Sequence, residues 1–190
     1  MLILLGPSAS GKTESAKIMI NRYSISRVVT CTTRPKRVNE IDGFDYHFMS
    51  EAAFAEKKEA GYFAETTQYN HYHYGTPIKE LKDDKLIILE PKGLKSFLEL
   101  GVCDIVAIYL KTQESCRTER MLSRGDSAAD VEKRILSDRV DFNYENIEGL
   151  DLIIDTTNIT LSDLADMIFY NYQILLANKK IAQSHVRKHG

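Results

Sequence analysis

The sequence predicts an α/β fold, a parallel sheet covered by helices on both faces, with a small β-rich lobe and a helical lid added to it. Three observations carry this. Apolar runs at Leu2–Leu5, Lys85–Glu90, Asp104–Leu110 and Leu150–Asp155 alternate with helical stretches, the rhythm of strand and crossover helix that builds a parallel sheet. The first run passes directly into Gly6-Pro7-Ser8-Ala9-Ser10-Gly11-Lys12-Thr13, which reads as strand, glycine-bounded loop and helix start. Between the first helix and the second apolar run lies a segment of different character, short β-type stretches rich in tyrosine from Thr32 to Ile78.

The loop is the most informative element. In G-x-x-x-x-G-K-[ST] the glycines let backbone N–H groups turn inward around phosphate oxygens, the lysine reaches the terminal phosphates, and the hydroxyl ligates Mg²⁺. The helix that follows, Lys12 to about Arg22, points its positive end at the same anion. A P-loop for a nucleoside triphosphate is expected here.

Ser26–Cys31 reads as a short strand leading into Thr32-Thr33-Arg34-Pro35-Lys36-Arg37. Pro35 prevents a helix, so Arg34 and Arg37 project from an extended loop, either as a phosphate or carboxylate grip or as a solvated basic loop. Asp42-Gly43 followed by Tyr46, His47 and Phe48 is a hairpin signal. Ser50 can cap a helix through about Ala60, and Tyr62–Thr67 and Tyr72–Pro77 read as strands around the loop Gln68–His71.

A helix is expected near Ile78–Lys82 and another over Lys92–Leu100. Glu90 ends its strand, where ligands bind in open α/β sheets; it serves the chemistry or caps the next helix. From Glu114 the chain is helical and basic, breaks at Gly125-Asp126-Ser127, and resumes to about Val140. Its arginines suit a flap that closes over phosphates; the alternative pairs them with Glu114, Asp126 and Asp138 as surface bridges. Thr160 is placed to cap an amphipathic helix to about Ala177, and the polar stretch 179–190 reads as a frayed tail.

The chain of 190 residues has a formal net charge of −2, which gives no general attraction to nucleic acid or to an acidic membrane. Cys31, Cys103 and Cys116 are odd in number and unevenly spaced, so reduced thiols are expected, and the histidines lack metal-ligand spacing. Met1 leads at once into the first strand and no apolar run is long enough to span a membrane, so a cytoplasmic protein is expected. The chain is compatible with a monomer or a homodimer.

The set Gly6-Pro7-Ser8-x-Ser10-Gly11-Lys12-Thr13, Thr32-Thr33-Arg34-x-x-Arg37, Gly43-x-Asp45-Tyr46-x-Phe48, Phe63-x-Glu65, Tyr74-Gly75-Thr76 and Arg120-x-x-x-Arg124-Gly125 resembles guanylate kinase in order and spacing, over nearly the whole chain. The resemblance implies transfer of the γ-phosphoryl of ATP to GMP or dGMP, with Mg²⁺, in purine nucleotide metabolism. It implies a core of residues 1–31, 79–116 and 140–178, a monophosphate-binding lobe of 32–78 and a lid of 117–139. It assigns Lys12, Arg34, Arg120, Arg124 and Arg134 to catalysis. ATP falls to Gly6, Ser8, Ala9, Ser10, Gly11, Lys12, Thr13 and position 14. The acceptor phosphate falls to Arg34, Arg37, Tyr46 and Tyr74, and the guanine edge to Glu65, Thr76, Thr30 and Glu90.

The chain departs from the family pattern in three places. Ile88 and Glu90 stand where two alternating aspartates are usual, Thr30 stands for a serine, and the lid from Arg124 to Arg134 is one residue shorter. Two further classes share the core: a peptide-binding module with a damaged P-loop, and a kinase for a different nucleoside monophosphate or metabolite.

Overall fold

The structure, a computed structural model, describes residues 1–38, 40–69, 71–101 and 104–189. In chain order the elements are β1 (Leu2–Leu5), α1 (Lys12–Arg22), β2 (Ser26–Arg27), β3 (Cys31–Thr32), β4 (His47–Phe48), α2 (Glu51–Glu59), β5 (Phe63–Tyr69) and β6 (Tyr72–Pro77). There follow β7 (Lys85–Ile88), α3 (Pro91–Leu100), β8 (Val106–Lys111), α4 (Glu114–Ser123), α5 (Ala128–Asp141), β9 (Leu152–Asp155) and α6 (Leu161–His189).

Among the described residues, the main sheet runs in the order β2-β7-β1-β8-β9 with every pairing parallel. β1 is central, and its side chains alternate between two cores. Leu2 and Leu4 pack with Ala16 and Met19 of α1 and with Leu164, Ile168 and Tyr172 of α6. Ile3 and Leu5 pack on the other face with Leu94 and Phe97 of α3. A strand apolar on both sides is what a sheet covered on both faces requires. The phosphate loop leaves the carboxyl end of this central strand, so it is anchored by the best-buried segment of the molecule.

A second sheet, β4-β3-β6-β5, carries the tyrosine-rich segment. β6 pairs antiparallel with β3 and β5, and the register sets Glu65 opposite Thr76 and Thr32 opposite Tyr74. Caps form where expected: Ser50 accepts from the Ala53 N–H at 3.2 Å, and Thr160 from the Asp163 N–H at 3.1 Å.

Several local expectations differ. Ser26–Cys31 is not one strand: Ser26–Arg27 joins the main sheet, Cys31–Thr32 the second, and the residues between cross from one to the other. There is no hairpin at Asp42-Gly43. β4 pairs in parallel with β3, and Asp42 accepts the Phe48 N–H at 2.9 Å while the Gly43 N–H reaches the Tyr46 carbonyl at 2.8 Å. Local side-chain bonding makes a compact loop that returns the chain to a distant strand. The stretch after Pro77 is only a 3₁₀ turn, Ile78–Glu80.

The polar stretch from 179 is helical to His189 as part of α6. Its polarity anchors it: Lys179 Nζ reaches the Ile105 carbonyl at 2.6 Å and Asp151 at 2.7 Å, Lys180 pairs with Asp83 at 2.5 Å, and Gln183 donates to Asp104. Among the described residues, no helix is long and apolar enough to cross a membrane. Cys31 is a buried free thiol, its ionisation pushed up to about 11 by burial, and Cys116 is also free. Cys103 lies outside the described residues, as do Asn39 and Asn70 of the two loops expected there.

Candidate active site

The phosphate loop is built by close contact and backbone strain. A Cβ on Gly6, whose φ is 141°, would lie 2.5 Å from the Leu110 carbonyl oxygen, so only glycine lets the loop leave β1 beside β8. Ala9 holds a left-handed φ of 60° and Gly11 one of 98°, the latter directly before the first turn of α1. Lys12 Nζ donates to the carbonyls of Gly6 at 2.5 Å and Pro7 at 2.7 Å, and to Ser10 Oγ at 3.3 Å. Its ammonium is pushed down to about 8, chiefly by burial; Asp138 pulls it up and Arg117 pushes it further down.

Beside the loop lies a cavity of about 480 Å³. It is lined by residues 9–14 of the loop and helix start, by Arg120 and Arg124, and by the apolar Ile159, Leu161 and Leu164. Cations and apolar side chains lining one cavity suit a molecule with anionic and flat apolar parts. Arg120 is seated on the loop, donating to the Ala9 carbonyl at 3.1 Å and to that of Thr156 at 3.2 Å. Thr156 in turn donates to the Ser10 carbonyl at 3.1 Å.

The other lid arginines are placed differently. Arg124 donates through Nε and Nη2 to Asp126 Oδ2 at 2.8 and 2.6 Å, and Arg134 Nη1 lies 3.8 Å from the same oxygen. Arg124 still lines the cavity, whereas Arg134, near Asp126 at the hairpin tip, is not among its lining residues. Arg139 makes a two-pronged exposed bridge to Glu114, so the surface-bridge expectation holds for that arginine as it does for Arg124 and Arg134 with Asp126.

In the second sheet Arg34 stands above Tyr46 and Phe48, its guanidinium 5.5 and 5.8 Å from their ring centres, and the Tyr46 and Tyr74 rings meet edge to face at 6.1 Å. Glu40 fixes this group: it accepts from Arg34 Nη2 at 2.5 Å and from the Arg37 N–H at 2.8 Å, and the Arg34 side chain holds its carboxyl below the usual range. Arg37 itself is exposed. Across β5 and β6, Thr76 Oγ1 donates to Glu65 Oε1 at 2.8 Å. Burial raises the Glu65 carboxyl above its ordinary value, and the Thr76 bond opposes that rise. Thr30 precedes Cys31, whose partner on β6 is Gly75, and so stands next to Thr76.

A family model described as guanylate kinase matches residues 1–171. The chain belongs to the guanylate kinase family. It is 31% identical to the guanylate kinase of Syntrophus aciditrophicus over 160 residues, 80% of this chain and 76% of that protein. Against that of Agrobacterium fabrum it is 25% identical, with 100% of this chain and 86% of the relative covered. Among solved structures, the guanylate kinase of Anaplasma phagocytophilum superposes with a TM-score of 0.64 at 22% identity, covering 93% of this chain and 85% of that one. A gluconokinase from Sinorhizobium meliloti superposes at 0.55 with 13% identity over 95% of each chain. The last two speak for the fold alone.

Within a guanylate kinase fold, the metal question turns on the donors present. Among the described residues no cluster of three histidine, cysteine or acidic side chains could hold an ion. Ile88 removes one carboxylate, and Glu90 is exposed at the start of α3, where its side chain makes no cap bond. Thr13 offers a single hydroxyl at the start of α1. That donor set fits Mg²⁺, which is commonly held by one or two protein groups together with substrate phosphates.

Sequence reasoning missed Glu40 among the residues that shape the site, and named Asp126 and Asp138 only as surface partners of the arginines. Glu40 was within reach, since an acid six positions after Arg34 in a basic loop invites a bridge. Asp126 does pair at the surface, with Arg124 and Arg134. Asp138 does not: its pair with Arg117 closes over the phosphate loop nearly sealed from water, and it spans two helices at a separation of 21, so its burial carries no local signal.

Proposed function

We propose that this chain transfers the γ-phosphoryl group of ATP to GMP, giving ADP and GDP, and that dGMP is also an acceptor. The observation that carries the choice of base is Glu65. One of its oxygens is engaged by Thr76, and Oε2 makes no hydrogen bond among the described residues. Guanine presents N1–H and the 2-amino group side by side, and an acceptor-only carboxylate meets them; adenine offers no such pair. Thr30 and Thr76 extend the same edge, and the exposed Glu90 has the weakest case for a part in it.

Our reading divides the molecule into a core around β1, a monophosphate-binding lobe formed by the second sheet, and a lid formed by α4 and α5. Arg34, Arg37, Tyr46 and Tyr74 hold the acceptor phosphate in the lobe. The N–H groups after Ser8, whose own N–H is taken by Asp138, hold the triphosphate together with Lys12 and Arg120, and the base packs on Ile159, Leu161 and Leu164. Mg²⁺ would be held by Thr13 and phosphate oxygens, and would neutralise charge as it passes from the γ to the β phosphate.

A GMP phosphate oxygen forms the new bond to the γ-phosphorus while the bond to the β–γ bridging oxygen breaks. The acceptor is already anionic, so the protein's work is alignment and charge neutralisation rather than proton transfer. Lys12 and Arg120 are in place for this, and Arg124 and Arg134 join by leaving Asp126.

The test is ADP formation with GMP, dGMP, AMP, CMP and UMP in turn. GMP and dGMP should exceed AMP by about 10⁴-fold in kcat/KM, as for a site built to bond a donor its competitor lacks. Turnover with another nucleotide at the GMP rate would overturn the choice of base, and none with any would overturn the kinase.

A further inference from the structure

The α4–α5 hairpin meets the phosphate loop through one buried ion pair. Arg117 is 5% exposed and Asp138 7%, and Arg117 Nη1 donates to Asp138 Oδ2 at 2.6 Å. The same oxygen accepts the Ser8 N–H at 2.9 Å, and Asp138 Oδ1 accepts the Ser8 hydroxyl at 3.3 Å. Arg117 Nη1 also lies 3.5 Å from the Ser8 carbonyl oxygen. Donor, hydroxyl and acceptor of one loop residue are thus all engaged by the same pair.

Stability alone is a weak reason for these charges. A buried ion pair returns little over apolar residues of similar volume, and Arg117 Nε is buried with no hydrogen-bond partner, which adds a cost. The next residue is the strained Ala9, with φ 60°. Such a conformation persists only where its surroundings over-determine it. Asp138 grips the loop on one side of Ala9, and Arg120 takes the Ala9 carbonyl itself at 3.1 Å.

We propose that Asp138 and Arg117 are positioning residues for phosphoryl transfer. Asp138 fixes the turn at Ser8 and Ala9, so that the N–H groups after it and Lys12 meet the γ-phosphoryl in line; Arg117 fixes Asp138. Neither touches a reacting atom. The inference rests on the kinase reading and adds to it two residues at the two ends of the lid, where hairpin and loop are joined.

The decisive variants remove both charges together. Arg117→Met/Asp138→Leu leaves no buried charge unpaired, so it should melt within a few degrees of wild type. Its kcat should fall by about 10²-fold, the scale of a misplaced reacting group, with KM for ATP and GMP within threefold. Arg117→Met/Asp138→Asn gives the Ser8 N–H an acceptor again and should recover at least about tenfold of the lost kcat. If the leucine variant does not fold, Arg117→Met/Asp138→Ala takes its place.

A folded leucine or alanine variant with kcat within threefold of wild type would overturn the positioning role. So would a loss confined to KM, or no recovery with asparagine. Wild-type turnover with GMP in the same assay separates the claims: its absence overturns the kinase reading and this proposal with it, whereas with an active wild type the variants alone decide the positioning role.

Discussion

The two ends of the α4–α5 hairpin are held by the same chemistry under opposite conditions. At its base Arg117, Arg120 and Asp138 are bonded to the phosphate loop, with the Arg117–Asp138 pair nearly sealed from water. At its tip Arg124 and Arg134 share Asp126, and their side chains are 47% and 50% exposed. Breaking a buried pair by removing one partner costs several kcal/mol, whereas an exposed pair is worth about 0–1 kcal/mol and is screened by salt. The base is therefore held more firmly than the tip, and if the hairpin is the moving lid we propose, the tip is the part free to move while the loop stays still.

The largest expected effect lies in the loop that the base secures. On the proposed mechanism Lys12→Met removes a cation that neutralises the transferring group, and turnover should fall by at least ~10²-fold. Its stability should not fall with it. The native ammonium sits at about 8 against 10.5 for an unhindered lysine, so the folded state penalises the charge. Between those pH values the unfolded chain binds more protons, and wild-type stability should rise with pH through that window. Lys12→Met should lack that rise and melt at or above the wild-type temperature near pH 7. Turnover and melting read together decide it; a mutant that melts well below wild type would mean that the lysine holds the loop rather than serves the reaction.

Glu65 extends the comparison to the second sheet, where Thr76 holds the carboxylate much as the base of the lid holds the loop. In Glu65→Gln one oxygen becomes a donor, so at most one guanine bond survives and its charge assistance is lost. A loss of about 3 kcal/mol corresponds to roughly 10²-fold in kcat/KM for GMP, with KM for ATP unchanged. Steady-state kinetics with each nucleotide varied in turn give the answer. A GMP value within threefold of wild type would place base recognition elsewhere.

What the sequence revealed follows the same line between fixed and contingent. β1 and the loop were legible because four buried residues, Leu2, Ile3, Leu4 and Leu5, lead into a motif whose every position has a steric or ligand reason. Glu65 and Thr76 were legible only through family spacing, since nothing in Phe63–Thr67 says that residue 65 will face residue 76. β4 was misread because its partner, β3, lies 16 residues away in a parallel pairing that no turn can announce. The end of α6 was misread because Lys179, Lys180 and Gln183 look like solvent-facing polarity until Asp151, Asp83 and Asp104 are brought beneath them. The burial of Arg117 with Asp138 stayed hidden for the same reason. An ion pair between helices depends on packing, and composition cannot separate it from the exposed bridge of Arg139 with Glu114 one residue further along.

The titration of Lys12 offers a smaller test of how far the loop is set before substrate arrives. The value near 8 belongs to the ammonium as it sits among the loop carbonyls. The profile of kcat/KM for ATP reports the free enzyme, so it should fall by up to about tenfold per unit above pH 8. Phosphates raise the lysine once bound, and the corresponding limb in kcat should lie at higher pH. Coincident limbs would show that the loop environment of Lys12 does not change on binding.

The smallest effect is expected at the tip, and its sign is what matters. If Asp126 parks Arg124 and Arg134, each must give up that carboxylate to reach phosphate, and the cost of release is part of the cost of closing the lid. Asp126→Asn keeps the side-chain shape and one acceptor while removing the charge, and should lower that cost by about 0.5–1 kcal/mol, the scale of an exposed pair. kcat/KM for ATP should therefore rise by about two- to fivefold. Because screening weakens the same bridges in wild type, the advantage of Asp126→Asn should shrink as salt is raised from ~0.05 to ~0.5 M. The ratio of variant to wild type at each salt concentration cancels the weakening of phosphate contacts that both proteins share. A tenfold loss of kcat/KM in Asp126→Asn, independent of salt, would make Asp126 a guide that orients the arginines for transfer, and the tip would then be as fixed as the base.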